Sequence, residues 1–190
     1  IRHRWSPRAF DPERSVSRVD LLRLFEAARW APSSLNEQPW RFVVVRRDGS
    51  PAAWADAVAS LSPNNRSWAV AGPVLVLVTV RLTLERNEQL NPLAWYDAGQ
   101  AVALLTLQAT AQGLSVRQME GFDHDHARRV CQVPDGFDPI VMMAIGYAGD
   151  PDALAIDKHR VAERAPRRRK AVGDFVFEET WGRLYQREDG

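Results

Sequence analysis

Ala31-Pro32-Ser33-Ser34-Leu35-Asn36-Glu37-Gln38-Pro39-Trp40-Arg41-Phe42 joins a helical pattern to a strand-like one, with a proline near each end. Upstream, Leu21, Leu22, Leu24, Phe25 and Ala28 recur at helical spacing behind Ser17, so a helix is expected over about 18–31. Downstream, 42–46 reads as a strand. Pro32 ends the helix and Pro39 blocks another, which predicts an extended connection of fixed backbone. Ser33, Ser34, Asn36 and Gln38 then offer hydroxyls, amides and main-chain N–H groups to something outside the loop. Taken alone, the stretch also fits a plain polar connection with Trp40 capping the core.

Beyond this junction, 74–81 and 140–145 are apolar enough for buried strands, and 114–118 for a short one. A second helix is expected over 51–61, where Trp54, Ala55 and Val58 share a face. The longest should run from about 92 to 112, with Ala98, Ala101, Val102, Leu105 and Ala109 as its apolar face and Gly113 at its C-terminal cap. Asp123 begins another through 130. Helices alternating with short apolar strands predict a mixed α/β (α+β) body over 1–150, one sheet with helices on both faces. Residues 151–190 are mostly polar but carry Phe175, Phe177, Trp181, Leu184 and Tyr185. Such an arm is expected to wrap the body or a second subunit, which points to a homodimer.

The 190-residue length suits one domain. A net charge of +1 lacks the basic excess of a dedicated nucleic-acid binder. Cys131 is the only cysteine, so no intrachain disulfide forms and a cytoplasmic location is expected. No apolar run reaches the length of a membrane span, and Ile1-Arg2-His3-Arg4 does not read as a signal sequence. The start on Ile1 is expected of a chain that begins a few residues inside its true N-terminus. Abundant Ala and Arg beside two Lys suggest a high-GC bacterial genome.

Two arginine clusters carry the recognition chemistry, Arg4-Trp5-Ser6-Pro7-Arg8-Ala9-Phe10 and Pro166-Arg167-Arg168-Arg169-Lys170. Arginine supplies planar, permanently charged, bidentate donors suited to a phosphate ester. Spacing does not show whether they converge, and each alone also fits a solvated charged face. In Arg117-Gln118-Met119-Glu120-Gly121-Phe122-Asp123, Gly121 permits close approach of a flat ligand and Asp123 can cap the next helix, although a plain strand-to-helix connection reads the same. Pro63-Asn64-Asn65-Arg66-Ser67-Trp68 reads as an Asn-rich turn able to face a heterocycle edge. His124-Asp125-His126 does not predict a metal site, because residues two apart do not share a helix face. No Gly-x-Gly-x-x-Gly or phosphate loop occurs, Ser33 and Ser34 lack a nucleophile elbow, and Cys131 reads as packing.

Together these four segments and the Pro-Ser-Ser-Leu-Asn-Glu-Gln-Pro-Trp loop resemble the FMN-dependent nitroreductase family over nearly the whole chain. The resemblance implies a three-layer α-β-α sandwich around one mixed, largely antiparallel sheet, in an intertwined homodimer burying two FMN molecules. It implies that Arg4, Ser6, Arg167 and Arg169 hold the phosphate and ribityl chain. Arg8 would lie at the N1/O2 edge, Asn65 (or Asn64) at the pyrimidine edge, and Glu120 and Gly121 at N5. Pro32, Ser33, Ser34 and Asn36 would come from the other subunit, while Trp5, Leu35 and Met119 complete the expected cofactor contacts. Trp5 stands where a His is common, and Ser67 or Trp68 where a Lys often follows, leaving Arg8 as the obvious cation at N1/O2. Trp95 and Tyr96 are weaker candidates for stacking on substrate and serve equally as core residues. The implied activity is NAD(P)H-dependent reduction of a flat acceptor such as a nitroaromatic or quinone by ping-pong chemistry, with no indispensable side-chain acid or base. A specialised oxidase, dehydrogenase or dehalogenase, or a non-catalytic FMN-binding module, is the alternative.

Overall fold

A computed structural model describes residues 1–185. Four strands form one sheet in the order β1-β2-β4-β3: β1 is Trp40–Arg46, β2 Val74–Arg81, β3 Ser115–Met119 and β4 Phe137–Gly146. All three pairings are antiparallel, so the sheet expected as mixed but largely antiparallel is antiparallel throughout the described residues. The physical cause is the path between β2 and β3. Helix α4, Ala94–Ala111, carries the chain across the sheet, and β3 then adds at the far edge running against β4.

The run Val74-Leu75-Val76-Leu77-Val78-Thr79-Val80 is buried at every position because both faces of β2 are covered. Its period-two alternation sorts the side chains into two cores. Val74, Val76, Val78 and Val80 join Met143 and Ile145 against α1 (Arg18–Arg29) and α4. Leu75 and Leu77 join Met142 and Ala144 on the opposite face, against α2 (Pro51–Ser60), α3 (Pro63–Ala69) and α5 (His124–Val130). The layers are therefore helix, sheet and helix. The expected N-caps form at Ser17, which accepts from the Asp20 N–H, and at Asp123, which accepts from the His126 N–H. Gly113, at φ +73°, follows the end of α4.

Two local expectations are corrected. Residues 63–68 are not a turn but helix α3, because Ser62 caps it through the Asn65 N–H and Pro63 occupies its first turn, where no amide donor is needed. The 32–39 connection is not extended. It folds into a short 3-10 turn at Ser34–Asn36, with Leu35, Asn36 and Gln38 all at positive φ.

The segment before α1 is stitched to the end of β4. Ala9 O accepts from the Gly149 N–H and Tyr147 O from the Asp11 N–H, both at 2.9 Å. Phe10 lies in the second core, stacked on Trp68. After β4, the chain forms α6, Asp157–Arg164, inside what the sequence suggests is an arm. Residues 165–185 are largely exposed, with Trp181 at 92% exposure, and carry one bridge between Phe177 and Leu184. No helix among the described residues is long and apolar enough to cross a membrane.

Candidate functional site

The two arginine clusters converge. Arg4, Arg167 and Arg169 line one cleft of about 300 Å³ together with Ile1 and Arg2. Arg4 Nη1 donates to Ser6 Oγ at 2.8 Å, and Arg167 Nη1 donates to Arg2 O at 2.8 Å. The Arg167 guanidinium also lies 5.6 Å from the centre of the Trp5 ring. Burial, and then the charges of Arg169 and Arg167, pull the Arg4 guanidinium below its ordinary pKa. Among the described residues none of these three arginines is paired with a carboxylate. Three unneutralised guanidiniums at one cleft favour an anionic ligand.

Beside this cleft lies a second group that the sequence reading missed. Glu163 of α6 has a side chain only 3% exposed. Its Oε1 accepts from the Arg8 main-chain N–H at 2.8 Å and sits 3.7 Å from Arg8 Nη1, while Oε2 accepts from Trp5 Nε1 at 3.1 Å. Arg117 on β3 donates to Ser6 O and is depressed first by burial and then by Arg8. It is thus a second cation near Arg8, where the sequence suggested one. One helical turn before Glu163, buried His159 places Nε2 3.2 Å from Asn64 Oδ1. Asn64 is therefore occupied with α6. A glutamate in a charged helix carries no sequence signal for such a role; only its contacts reveal it.

The Glu120-Gly121 turn is held by α3. Gly121 O accepts from Asn65 Nδ2 at 2.9 Å and from the Ser62 N–H at 3.0 Å. A Cβ at Gly121 would come within 2.9 Å of Asn65 Nδ2 and 3.1 Å of Ser62 Oγ, so a side chain there would displace polar groups of the two residues that hold the turn. Asn65 spends one of its two Nδ2 N–H donors on the protein. Met119 is 3% exposed within the second core, so it offers its main chain rather than its side chain to a ligand. Glu120 is exposed.

The polar loop lies elsewhere. Ser34 N–H donates to Asp97 Oδ2 at 3.0 Å, and Ser33 Oγ accepts from the Gln38 N–H at 3.0 Å. Asp97, 1% exposed in the first turn of α4, is the anchor sequence analysis did not find. Pro32, Leu35 and Asn36 are exposed. This loop opens β1, whereas Arg117 and Glu120-Gly121 belong to β3 and its exit, at opposite edges of the sheet. Three strand spacings separate them, about 14 Å. Trp95 and Tyr96 are not core residues; they are 53% and 68% exposed on the first turn of α4. Cys131 ends α5 half-buried, and burial pushes its thiol pKa up.

Residues 1–147 match the sequence model of the nitroreductase family. The chain belongs to that family. A solved oxidoreductase containing FMN superposes with a TM-score of 0.88 at 34% identity, covering 95% of this chain and 90% of that one. An uncharacterized 15.4 kDa protein of Mycolicibacterium smegmatis is 35% identical over 149 residues, 75% of this chain and 97% of that protein. The major NAD(P)H-flavin oxidoreductase of Aliivibrio fischeri is 31% identical over 88 residues, 46% of this chain and 40% of its own length. Within the nitroreductase frame the basic cleft, the Gly121 turn and the polar loop are the three candidate parts of one site.

The donor set fits a phosphorylated flat cofactor. Arg8 Nε and Trp68 Nε1 are buried and have no hydrogen-bond partner among the described residues. The unpartnered Arg8 Nε, with Arg4, Arg167 and Arg169 unpaired with carboxylates among the described residues, leaves donors that an oxygen-rich ligand would satisfy.

Proposed function

We propose that this nitroreductase-family chain is an NAD(P)H-dependent oxidoreductase that holds FMN at a homodimer interface. The observation that carries this reading is the meeting of Arg4, Arg167 and Arg169, from opposite ends of the chain, around an uncompensated anion cleft. Arg4, Ser6, Arg167 and Arg169 would bind the phosphate and ribityl chain, with Trp5 beside them. Arg8, with Arg117 near it, would place positive charge at the N1/O2 edge, where it favours the reduced cofactor. The main chain of Met119, Glu120 and Gly121 would line N5, with Asn65 bracing the turn. Bound FMN supplies the two-electron chemistry between NAD(P)H and a flat acceptor such as a nitroaromatic or quinone. The protein binds, orients and excludes water; no side chain is assigned an obligatory proton transfer.

The second subunit enters because one chain does not unite its own parts. Pro32, Ser33, Ser34, Leu35 and Asn36 lie at the far edge of the sheet, and a second copy can bring them to the basic cleft. Trp95, Tyr96, Gly99 and Ala103 form an exposed face along α4, and Phe175, Trp181, Leu184 and Tyr185 are exposed on the arm. Both surfaces suit burial between subunits. Trp95 and Tyr96 are then placed to border the acceptor pocket. The reducing cytoplasm is the compartment we assign.

The test is a visible absorption spectrum of the purified protein followed by anaerobic titration with NADH and NADPH. A flavin band that bleaches rapidly supports the reading. A band that does not bleach supports a storage module, and a protein that gains no flavin signal from added FMN refutes both. Arg8→Ala should weaken FMN retention or slow bleaching; full occupancy with unchanged bleaching contradicts the role given to Arg8.

A further inference from the structure

Glu163 touches both ends of the chain. Through Oε1 and Oε2 it holds the Arg8 N–H, the Arg8 guanidinium and the Trp5 indole, 155 to 158 residues away in sequence. Through its own helix it sits four residues before Arg167 and six before Arg169. A second cleft, lined by Trp5, Glu163, Ala165 and Arg167, shares Arg167 with the first. Arg4, Arg167 and Arg169 line one cleft and carry like charge; burial first, and then the charges of Arg169 and Arg167, lower the pKa of Arg4, while Arg8 and Arg117 are a second pair of cations beside Glu163. Among the described residues Glu163 is the only carboxylate paired with any of the five. Helix α6 is also held by His159 on Asn64, Arg160 on Leu154 O and Arg164 on Asp152, none of which reaches the N-terminal segment.

We propose that Glu163 is a positioning residue: a buried carboxylate that gathers the arginines of the two chain ends into one phosphate cleft before ligand arrives. The inference rests on the proposed use of that cleft for a phosphorylated cofactor. Without the negative charge, the Trp5–Arg8 segment loses its tie to α6, Arg167 on Arg2 O is left to hold the two segments against their own repulsion, and binding must first collect them. If the gathered form falls to about 3% of molecules, the apparent Kd rises about 30-fold. The loss at the Arg8 edge is shared by FMN and riboflavin, and the loss at the phosphate end adds to it for FMN alone.

Apo-protein of wild type, Glu163→Gln and Glu163→Asp is titrated with FMN and with riboflavin by flavin fluorescence, and with inorganic phosphate by thermal shift. Gln keeps the size and loses the charge; Asp keeps the charge one methylene short. The expected result is an FMN Kd raised about 30-fold in Glu163→Gln, with riboflavin affinity reduced by a clearly smaller factor, phosphate stabilisation lost, and FMN and phosphate binding partly restored in Glu163→Asp. Equal losses for FMN and riboflavin indicate a general packing role and overturn the proposal, as does unchanged binding of FMN and phosphate. If Glu163→Gln does not fold, Glu163→Asp decides: weakened phosphate stabilisation supports the proposal and unaltered stabilisation overturns it. Wild-type protein that responds to phosphate but not to FMN overturns the cofactor assignment while leaving the Glu163 comparison to be read with phosphate. A wild type that responds to neither overturns both.

Discussion

Replacing Gly149 by Ala tests whether the N-terminal arginine segment is placed by its seam with the end of β4. A Cβ there would lie 2.5 Å from both the C and O atoms of Phe10 and 2.7 Å from Asp11 N. These are main-chain atoms and do not swing aside. Reaching ordinary contact at 3.4 Å opens the seam by the difference, 0.9 Å. The hydrogen bonds from Gly149 N–H to Ala9 O and from Asp11 N–H to Tyr147 O, both 2.9 Å, stretch with it. Two weakened main-chain bonds at about 1 kcal/mol each, plus overpacking of about 1–3 kcal/mol, are offset by about 0.5 kcal/mol from the stiffer unfolded chain. The net cost is about 3 kcal/mol, so the urea midpoint should fall by about 1–1.5 M at fixed protein concentration. Arg8 adjoins the displaced segment, so FMN affinity should fall as well. Unfolding is followed by far-UV circular dichroism and binding by flavin fluorescence. A midpoint within about 0.2 M of wild type, or a large shift with intact FMN affinity, refutes this reasoning.

Three further predictions follow from single contacts. Asp97→Ala removes the acceptor for the Ser34 N–H, at a cost of about 2 kcal/mol, and amide exchange at Ser34 should accelerate; unchanged protection there sinks the anchoring role. His159 is held below its ordinary pKa by burial, then by Arg8, Lys158 and Arg117, against an opposing pull from Glu163. As pH falls below about 6.5 the unfolded chain takes up this proton before the folded one, so stability drops. The wild-type Tm should therefore decline more than that of His159→Gln between about pH 7.5 and 5.5; parallel declines refute it. Ala103→Arg places a charge on the exposed α4 face and should yield monomers by light scattering, with FMN lost in parallel; a dimer that persists excludes this face.

Much of the architecture was legible because it is local. The Ser17 and Asp123 caps, the 3.6-residue stripe of α4 and the unbroken apolar run of β2 each state their own structure within a few residues. The 63–68 helix was missed because its two asparagines suggest a turn, while the Ser62-Pro63 start that nucleates it lies just upstream. The polar loop was misread as extended because its prolines were legible, whereas the Asp97 anchor lies 63 residues away. Of the candidate site, the arginines and Gly121 were visible as residue types with a chemistry. Met119 was placed in the right segment, but strand alternation turns its side chain into the core.

By itself, then, the sequence determined the strands and most of the helices, the layering of helices on both sides of one sheet and the anion-seeking character of the two arginine clusters. These follow from periodicity and side-chain chemistry, which act over one or two turns of chain. Tertiary structure alone decided that Arg4 meets Arg167 and Arg169, that Glu163 meets Trp5 and Arg8, and that the 32–39 loop stands at the opposite sheet edge. Strand order sets those distances, and strand order depends on the packing of the whole chain.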